Sequence, residues 1–261
     1  MYCLEDKKET SRLEEQNAHA LYSISDELKK VNFSGIHKVL DAGCGSGFVT
    51  RNLLDLFPDL NITGIDYGID RVEDAKRLAK EEGKEATFLE ASLYDLPFKD
   101  NEFDMVVSRF VFHHLDDHQK AMNELYRVVK PGGQVVIIDS DGILFNFYTE
   151  NSELMTLVDK LHKCFSLDFF PARKLKSYMS NSGGLNLKSS LIPMHFTGED
   201  LLFERDQYVQ RFSMMKPVLT NMLGEEDTNR FCELYLHALD DKDGAKGTEL
   251  FYNRFITIGV K

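Results

Sequence analysis

No run of apolar residues in this 261-residue chain reaches the roughly twenty positions needed to cross a bilayer, and no signal-peptide pattern stands at its start. The expectation is no membrane partner and a cytoplasmic location. Basic residues are outnumbered, 31 Lys and Arg against 43 Asp and Glu, for a net charge of -12. No Lys/Arg cluster interleaved with aromatics occurs, so nucleic acid is not the expected partner, because phosphate binding needs a basic footprint. Cysteines are few: Cys3, Cys44, Cys164 and Cys232 match neither a metal-site spacing nor a disulfide framework. That usage fits a reducing compartment and predicts no metal. Repeats and low-complexity linkers are also lacking. The 43% apolar content is enough, at this length, for one structural domain with a full core.

The informative segment is Asp41-Ala42-Gly43-Cys44-Gly45-Ser46-Gly47, directly after the apolar pair Val39-Leu40. It reads as a buried strand ending at Asp41, a glycine turn, and a helix from Phe48 to Leu54. Glycine has no Cβ, so the turn can adopt positive φ and let a ligand lie against bare backbone. The helix start adds free N–H groups that suit a carboxylate or phosphate. A dinucleotide fingerprint needs a further glycine at position 48, where Phe48 stands, so the loop suits a single adenosyl cofactor better. Nineteen residues after Gly47, the strand Asn61–Asp66 ends in a second carboxylate. There an acid meets the two hydroxyls of a ribose, with Tyr67 placed to lie against an adenine face. The competing reading of Asp66 is a helix N-cap.

Further elements alternate. Ile69, Val72, Ala75 and Ala79 share a helical face; 86–91 and 103–108 read as strands. Ala121, Met122, Leu125 and Val129 mark a helix stopped by Pro131-Gly132-Gly133, before a fifth strand over 134–139. This order implies a parallel sheet with helices on both faces and ligands outside the carboxyl ends of the strands.

Val39 to Gly47, Ile65-Asp66, Leu96-Pro97-Phe98, Phe103-Asp104, Ser108 to Leu115 and Val129 to Gly133 together resemble class I S-adenosylmethionine-dependent methyltransferases, of the ubiquinone/menaquinone-biosynthesis type that act on small molecules. The similarity spans about residues 36 to 140. It implies an α/β fold: a doubly wound, Rossmann-like, seven-stranded and mostly parallel sheet, with an antiparallel last strand and a helical lid. It also implies S-adenosyl-L-methionine as cofactor, S-adenosyl-L-homocysteine as product, and jobs for matching positions. Gly43, Cys44 and Gly45 run along the methionine portion, and Asp41 holds its amino group. Asp66 takes the ribose and Tyr67 the adenine face. Ser92, where relatives often carry Asp, and the backbone of Leu93 meet the adenine edge. Ser108 and Arg109 lie beneath the methionine tail, Arg109 pairing with its carboxylate. Relatives also carry a segment like Arg12 to Gln16 that closes over the cofactor, which brings Arg12 and Gln16 to the methionine end. The competing reading leaves both facing solvent.

Ser11-Arg12-Leu13-Glu14 has the form of a capping box, followed by an apolar stripe of Leu13, Leu21, Ile24 and Leu28. Residues 1–35 are read as a helical cap, 36–145 as the cofactor-binding core, and 146–261 as the remaining strands. Within the last part, Leu154, Leu157, Leu161 and Cys164 define a helix, and Pro171 opens another ended by Gly183-Gly184. Strands are expected over 186–193 and 250–260, with a two-helix insertion at about 198–246 forming the lid over the acceptor pocket. His113 and His114, at the end of the fourth strand, are the candidate catalytic bases, weighed against a packing role. His195, Tyr148, Arg173 and Tyr252 are weaker candidates for lining the pocket.

The expected function is therefore methyl transfer to a small, apolar or aromatic acceptor, by a monomer or homodimer. Two other readings remain open here: an NAD-type oxidoreductase, and a non-catalytic protein that binds the same cofactor.

Overall fold

The computed structural model describes residues 7–142, 144–164 and 168–261. Expectations for Cys3 and for the first six residues of the amino-terminal segment lie outside them. The chain opens with α1 (Lys7–Ala18) and α2 (Ile24–Leu28). The alternating core follows: β1 (Lys38–Ala42), α3 (Phe48–Leu56), β2 (Asn61–Asp66), α4 (Ile69–Glu81), β3 (Thr87–Glu90), β4 (Phe103–Arg109), α5 (His118–Val128) and β5 (Val129–Asp141). Then come β6 (Phe147–Tyr148), α6 (Ser152–Cys164), α7 (Leu175–Asn181), β7 (Leu185–Phe196), α8 (Gly198–Leu223), α9 (Glu225–Leu239) and β8 (Glu249–Val260).

These strands form one sheet in the order β3-β2-β1-β4-β5-β8, with β6 and β7 also paired to β8. The first five strands pair in parallel, and β8 runs antiparallel to β5, with Gln134 opposite Val260. Among the described residues there are eight strands rather than seven, because the two-residue β6 adds to the expected set.

Strand periodicity explains the two-sided core. Val39, Ile62, Met105, Val107, Val136 and Ile138 pack with α2 and α3 on one face. Leu40, Ala42, Ile65, Val106, Val135 and Ile137 pack with α5 and α7 on the other. Central strands buried on both faces read as apolar runs, which is why they were legible. A third cluster, built from α6, α8 and α9 with Tyr22, Phe196 and Tyr252, fills the carboxy-terminal part. None of the helices among the described residues is long and apolar enough to cross a membrane, and no group of three His, Cys, Asp or Glu among them is arranged to hold a metal.

Several local expectations are corrected. Ser11 is not a cap: it lies inside α1, and Glu14 bonds the Ser46 hydroxyl and Arg51. The stripe from Leu13 to Leu28 is broken by a 3-10 turn at Ala20–Tyr22, so it spans separate pieces. Pro131-Gly132-Gly133 lies inside β5, where the register shifts between Phe103 and Met105 of β4. Gly133 is needed there because a Cβ would stand 2.6 Å from the Asp104 carbonyl. Ile69 is 49% exposed, in the first turn of α4 at the rim of the sheet. Cys164 is exposed as well.

Candidate active site

The carboxyl ends of β1, β2 and β4 meet at the glycine turn. Ile65 accepts from the N–H groups of both Gly43 (2.8 Å) and Cys44 (2.7 Å), which pins the turn onto β2. Gly43, Gly45 and Gly47 have φ of 80°, 53° and 80°. A Cβ on Gly43 would press into the methyls of Val111, whereas one on Gly45 would meet nothing within 4 Å. Space on that side of the loop is open. By contrast, the roughly 540 Å³ cleft lined by Leu60, Asn61, Lys80 and Thr87 lies at the starting ends of β2 and β3, where α/β sheets do not place their ligands.

Asp41 is fully buried at the end of β1. Its Oδ2 accepts from the Thr50 N–H (3.1 Å) and hydroxyl (2.7 Å), so it caps α3 in place of the absent cap side chain at Gly47. Its Oδ1 has no hydrogen-bond partner. Burial lifts this carboxyl from 3.8 to about 7, against the pull of the Thr50 bonds and with repulsion from Asp66 adding to the rise. A cationic group placed there would satisfy an orphaned acceptor.

Asp66 ends β2 with three donors on its carboxylate. Oδ2 takes the Gly45 N–H at 2.9 Å, and Oδ1 takes the Gly68 N–H and Arg71 Nε, each at 2.9 Å. The cap position of α4 belongs to Gly68, so the N-cap reading of Asp66 is corrected. Arg71, from the first turn of α4, was missed; an Arg five residues after a strand-ending acid was the available signal. Tyr67 is 70% exposed beside this carboxylate. Leu93 is buried and Ser92 half-buried in the turn after β3, where the Ser92 hydroxyl accepts from the Tyr94 N–H at 3.2 Å. The Cys44 thiol is buried, and burial with the charges of Asp41 and Asp66 holds it well above its ordinary value, which leaves it unreactive.

Ser108 donates to the Ala42 carbonyl at 2.7 Å and ties β4 to β1. Arg109 is not offered to a ligand as a free fork. Its guanidinium pairs with buried Glu27 at 2.7 Å and also bonds Asn17 and the Tyr22 carbonyl. Glu27, which also pairs with Arg254, was missed because its helix turn carries no motif. Arg12 and Gln16 are both buried, so the solvent-facing alternative is corrected. Arg12 pairs with Glu9 at 2.6 Å and bonds Gln16 (3.2 Å) and, across to α8, Gln207 (3.1 Å).

His113 and His114 follow β4 in a 3-10 turn, ring centroids 3.8 Å apart. His113 Nδ1 lies 2.6 Å from Oδ1 of Asp139 on β5. Burial, with the nearby charges of His113, Arg71 and Arg12, holds His114 well below the usual imidazole range. Of the weaker candidates, Tyr148 is exposed, His195 pairs with Glu249 at the surface, Arg173 pairs with Asp141, and Tyr252 is buried against Tyr208.

Residues 40–137 match the family described as methyltransferase domain. The core has the class I methyltransferase fold. The chain is 37% identical over 102 residues to a demethylmenaquinone methyltransferase of Thermus thermophilus, covering 39% of this chain and 46% of that one. It is 33% identical to a demethylmenaquinone methyltransferase of Thermotoga maritima, covering 55% and 62%. The match therefore spans less than two thirds of either relative. Among solved structures, the YcgJ protein of Bacillus subtilis aligns over 91% of this chain and 97% of its own, with 21% identity and a TM-score of 0.59. The [4+2]-cyclase SpnF aligns over 91% of this chain and 79% of its own, at 18% identity and TM-score 0.54, so the fold alone does not fix the reaction.

Proposed function

We propose that this methyltransferase-fold chain binds S-adenosyl-L-methionine and transfers its methyl group to a small apolar or aromatic acceptor. The carrying observation is the orphaned, buried Oδ1 of Asp41 on the strand that leads into the glycine turn, where Gly45 faces open space, one strand from the Asp66 carboxylate. This donor set fits the cofactor: an acceptor for an ammonium, bare backbone for a thin chain, and an acid for two ribose hydroxyls. Asp41 would hold the amino group, with Gly43, Cys44 and Gly45 along the methionine chain, Asp66 on the ribose, and Tyr67, Ser92 and Leu93 around the adenine. Ser108 and Arg109 act as braces, Ser108 fixing β4 on β1 and Arg109 fixing α2 over the crevice. When bound, the cofactor supplies an electrophilic methyl on sulfur. The protein aligns the acceptor with it and excludes water.

Helices α8 and α9 would serve as the lid, joined to α1 by the Arg12–Gln207 bond. The names of the Thermus and Thermotoga relatives support a quinone-type acceptor, and the charge of -12 favours a small molecule over nucleic acid. Transfer of labelled methyl from S-adenosylmethionine to the reduced form of a demethylnaphthoquinone tests the reading. Label in the organic phase with equimolar S-adenosylhomocysteine is expected. Cofactor retention without release over a wide acceptor panel would favour a binding protein instead, and tight NAD binding without S-adenosylhomocysteine binding would favour the oxidoreductase.

A further inference from the structure

Asp139 is fully buried on β5, one strand beyond β4, and is saturated on every side but one. Its Oδ2 accepts the Phe112 N–H at 2.7 Å and, more weakly, the His113 N–H at 3.4 Å. Its Oδ1 accepts the Ser140 N–H at 2.8 Å and faces His113 Nδ1 at 2.6 Å. A buried carboxylate can only accept, so the imidazole must donate from Nδ1. That fixes the tautomer and leaves the lone pair on Nε2.

The surroundings of the ring suit an outward task. The His113 side chain keeps 12% of its surface exposed, while its carboxylate is sealed. It stands between Phe110, at 6.5 Å, and His114. Val111, two residues earlier, packs on Gly43 of the glycine turn, which ties the histidine turn to the loop assigned to the cofactor. Phe110 holds φ at 57°, a left-handed conformation rare for an aromatic residue. It kinks the chain between β4 and the histidine turn. Beyond Phe110, the rings of Tyr22 (6.4 Å) and Phe196 continue toward the buried aromatics of α8 and α9. Burial, with charge at His113, Arg71 and Arg12, opposes taking up a positive charge on His114.

Resting on the methyl-transfer reading of this crevice, we infer that His113 takes the proton from a phenolic acceptor and that Asp139 is its positioning residue. The acceptor O–H bond breaks and its proton passes to Nε2. The electron pair left behind, on oxygen or delocalised onto the ring carbon ortho to it, forms the bond to the methyl carbon. The old carbon–sulfur bond breaks with its pair going to sulfur. If carbon is methylated, the ring loses its own proton there and the oxygen regains one. The imidazolium returns its proton to water.

Long-range proton–nitrogen spectra of histidine-labelled protein loaded with S-adenosylhomocysteine test the geometry without turnover. The expected spectrum shows His113 protonated on Nδ1 and accepting on Nε2, and Asp139→Asn loses that preference. A wild-type His113 protonated on Nε2 overturns the inference. Turnover of 1,4-naphthalenediol gives the functional arm. His113→Gln is expected to lose about 100-fold or more in kcat with the KM for S-adenosylmethionine unchanged. Asp139→Glu recovers part of the loss caused by Asp139→Asn. Should Asp139→Asn fail to fold, His113→Gln, at a side chain with an exposed edge, still decides. Wild-type kcat in His113→Gln overturns the base assignment. Failure of the wild type to bind S-adenosylhomocysteine overturns the underlying reading instead.

Discussion

Replacing Asp41 by Asn separates the two jobs of this carboxyl. An amide oxygen still accepts both Thr50 bonds, so the cap of α3 survives. The change falls on Oδ1, which has no partner in the ligand-free protein. Because burial lifts the carboxyl from 3.8 to about 7, the folded state binds its proton more tightly than the unfolded chain does. The burial penalty is therefore absent below about pH 4, grows as pH rises, and is complete above about pH 7. At about 1.4 kcal/mol per pH unit, the full penalty is on the order of 4 kcal/mol. Asn avoids the charge but buries an amide N–H₂ without an acceptor, which costs about 1–3 kcal/mol. Ligand-free Asp41→Asn is thus expected to be about 1–3 kcal/mol more stable than wild type at pH 8.5, with the gain shrinking toward pH 5. S-adenosylhomocysteine affinity should move the other way, falling by about 1.5–3 kcal/mol as the ammonium loses a charged acceptor. Urea denaturation at the two pH values and titration calorimetry measure both. A variant less stable at pH 8.5, with unchanged affinity, refutes the reasoning.

Other outcomes follow from the same geometry. Wild-type affinity for S-adenosylhomocysteine should weaken by about tenfold per pH unit below about pH 7, because Asp41 must shed its proton to receive the ammonium; calorimetry from pH 5 to 8 shows this, and a flat profile contradicts it. Asp66→Ala should cost about 1–3 kcal/mol of cofactor affinity, and equal binding removes Asp66 from the site. Gly43→Ala should destabilise the fold by about 2 kcal/mol or more, through positive φ and the Val111 methyls. Gly45→Ala should cost only about 1–2 kcal/mol of stability yet lose cofactor binding; thermal melts with and without ligand separate the two. Arg109→Ala should destabilise by about 3–5 kcal/mol, since it leaves Glu27 buried with Arg254 alone, and a loss under about 1 kcal/mol in urea would contradict its bracing role.

The central strands were legible because burial on both faces forces apolar runs of the right length, and β2 falls on the expected residues. The glycine turn was legible because its positive φ values demand glycine. Long-range polar pairing was not. Arg109 reads as a ligand-binding cation in its motif, but its partner Glu27 lies 82 positions away, in a five-residue helix with no signature. The capping box misled because Glu14 has a stronger use: a charged bond to Arg51 outweighs a local cap. Asp139 was visible only as the end of the fifth strand, since its link to His113 needs β5 laid beside β4. The α8–α9 pair was found by its spacing of Leu201, Tyr208, Phe212, Phe231 and Tyr235, all buried. What it covers could not be read from spacing.

A crystal of the protein grown with S-adenosylhomocysteine puts the central claim at greatest risk. The amino group should stand within hydrogen-bond distance of Asp41 Oδ1, with both ribose hydroxyls on Asp66. Density for the nucleoside elsewhere, or an Asp41 still without a partner at saturating ligand, would contradict it.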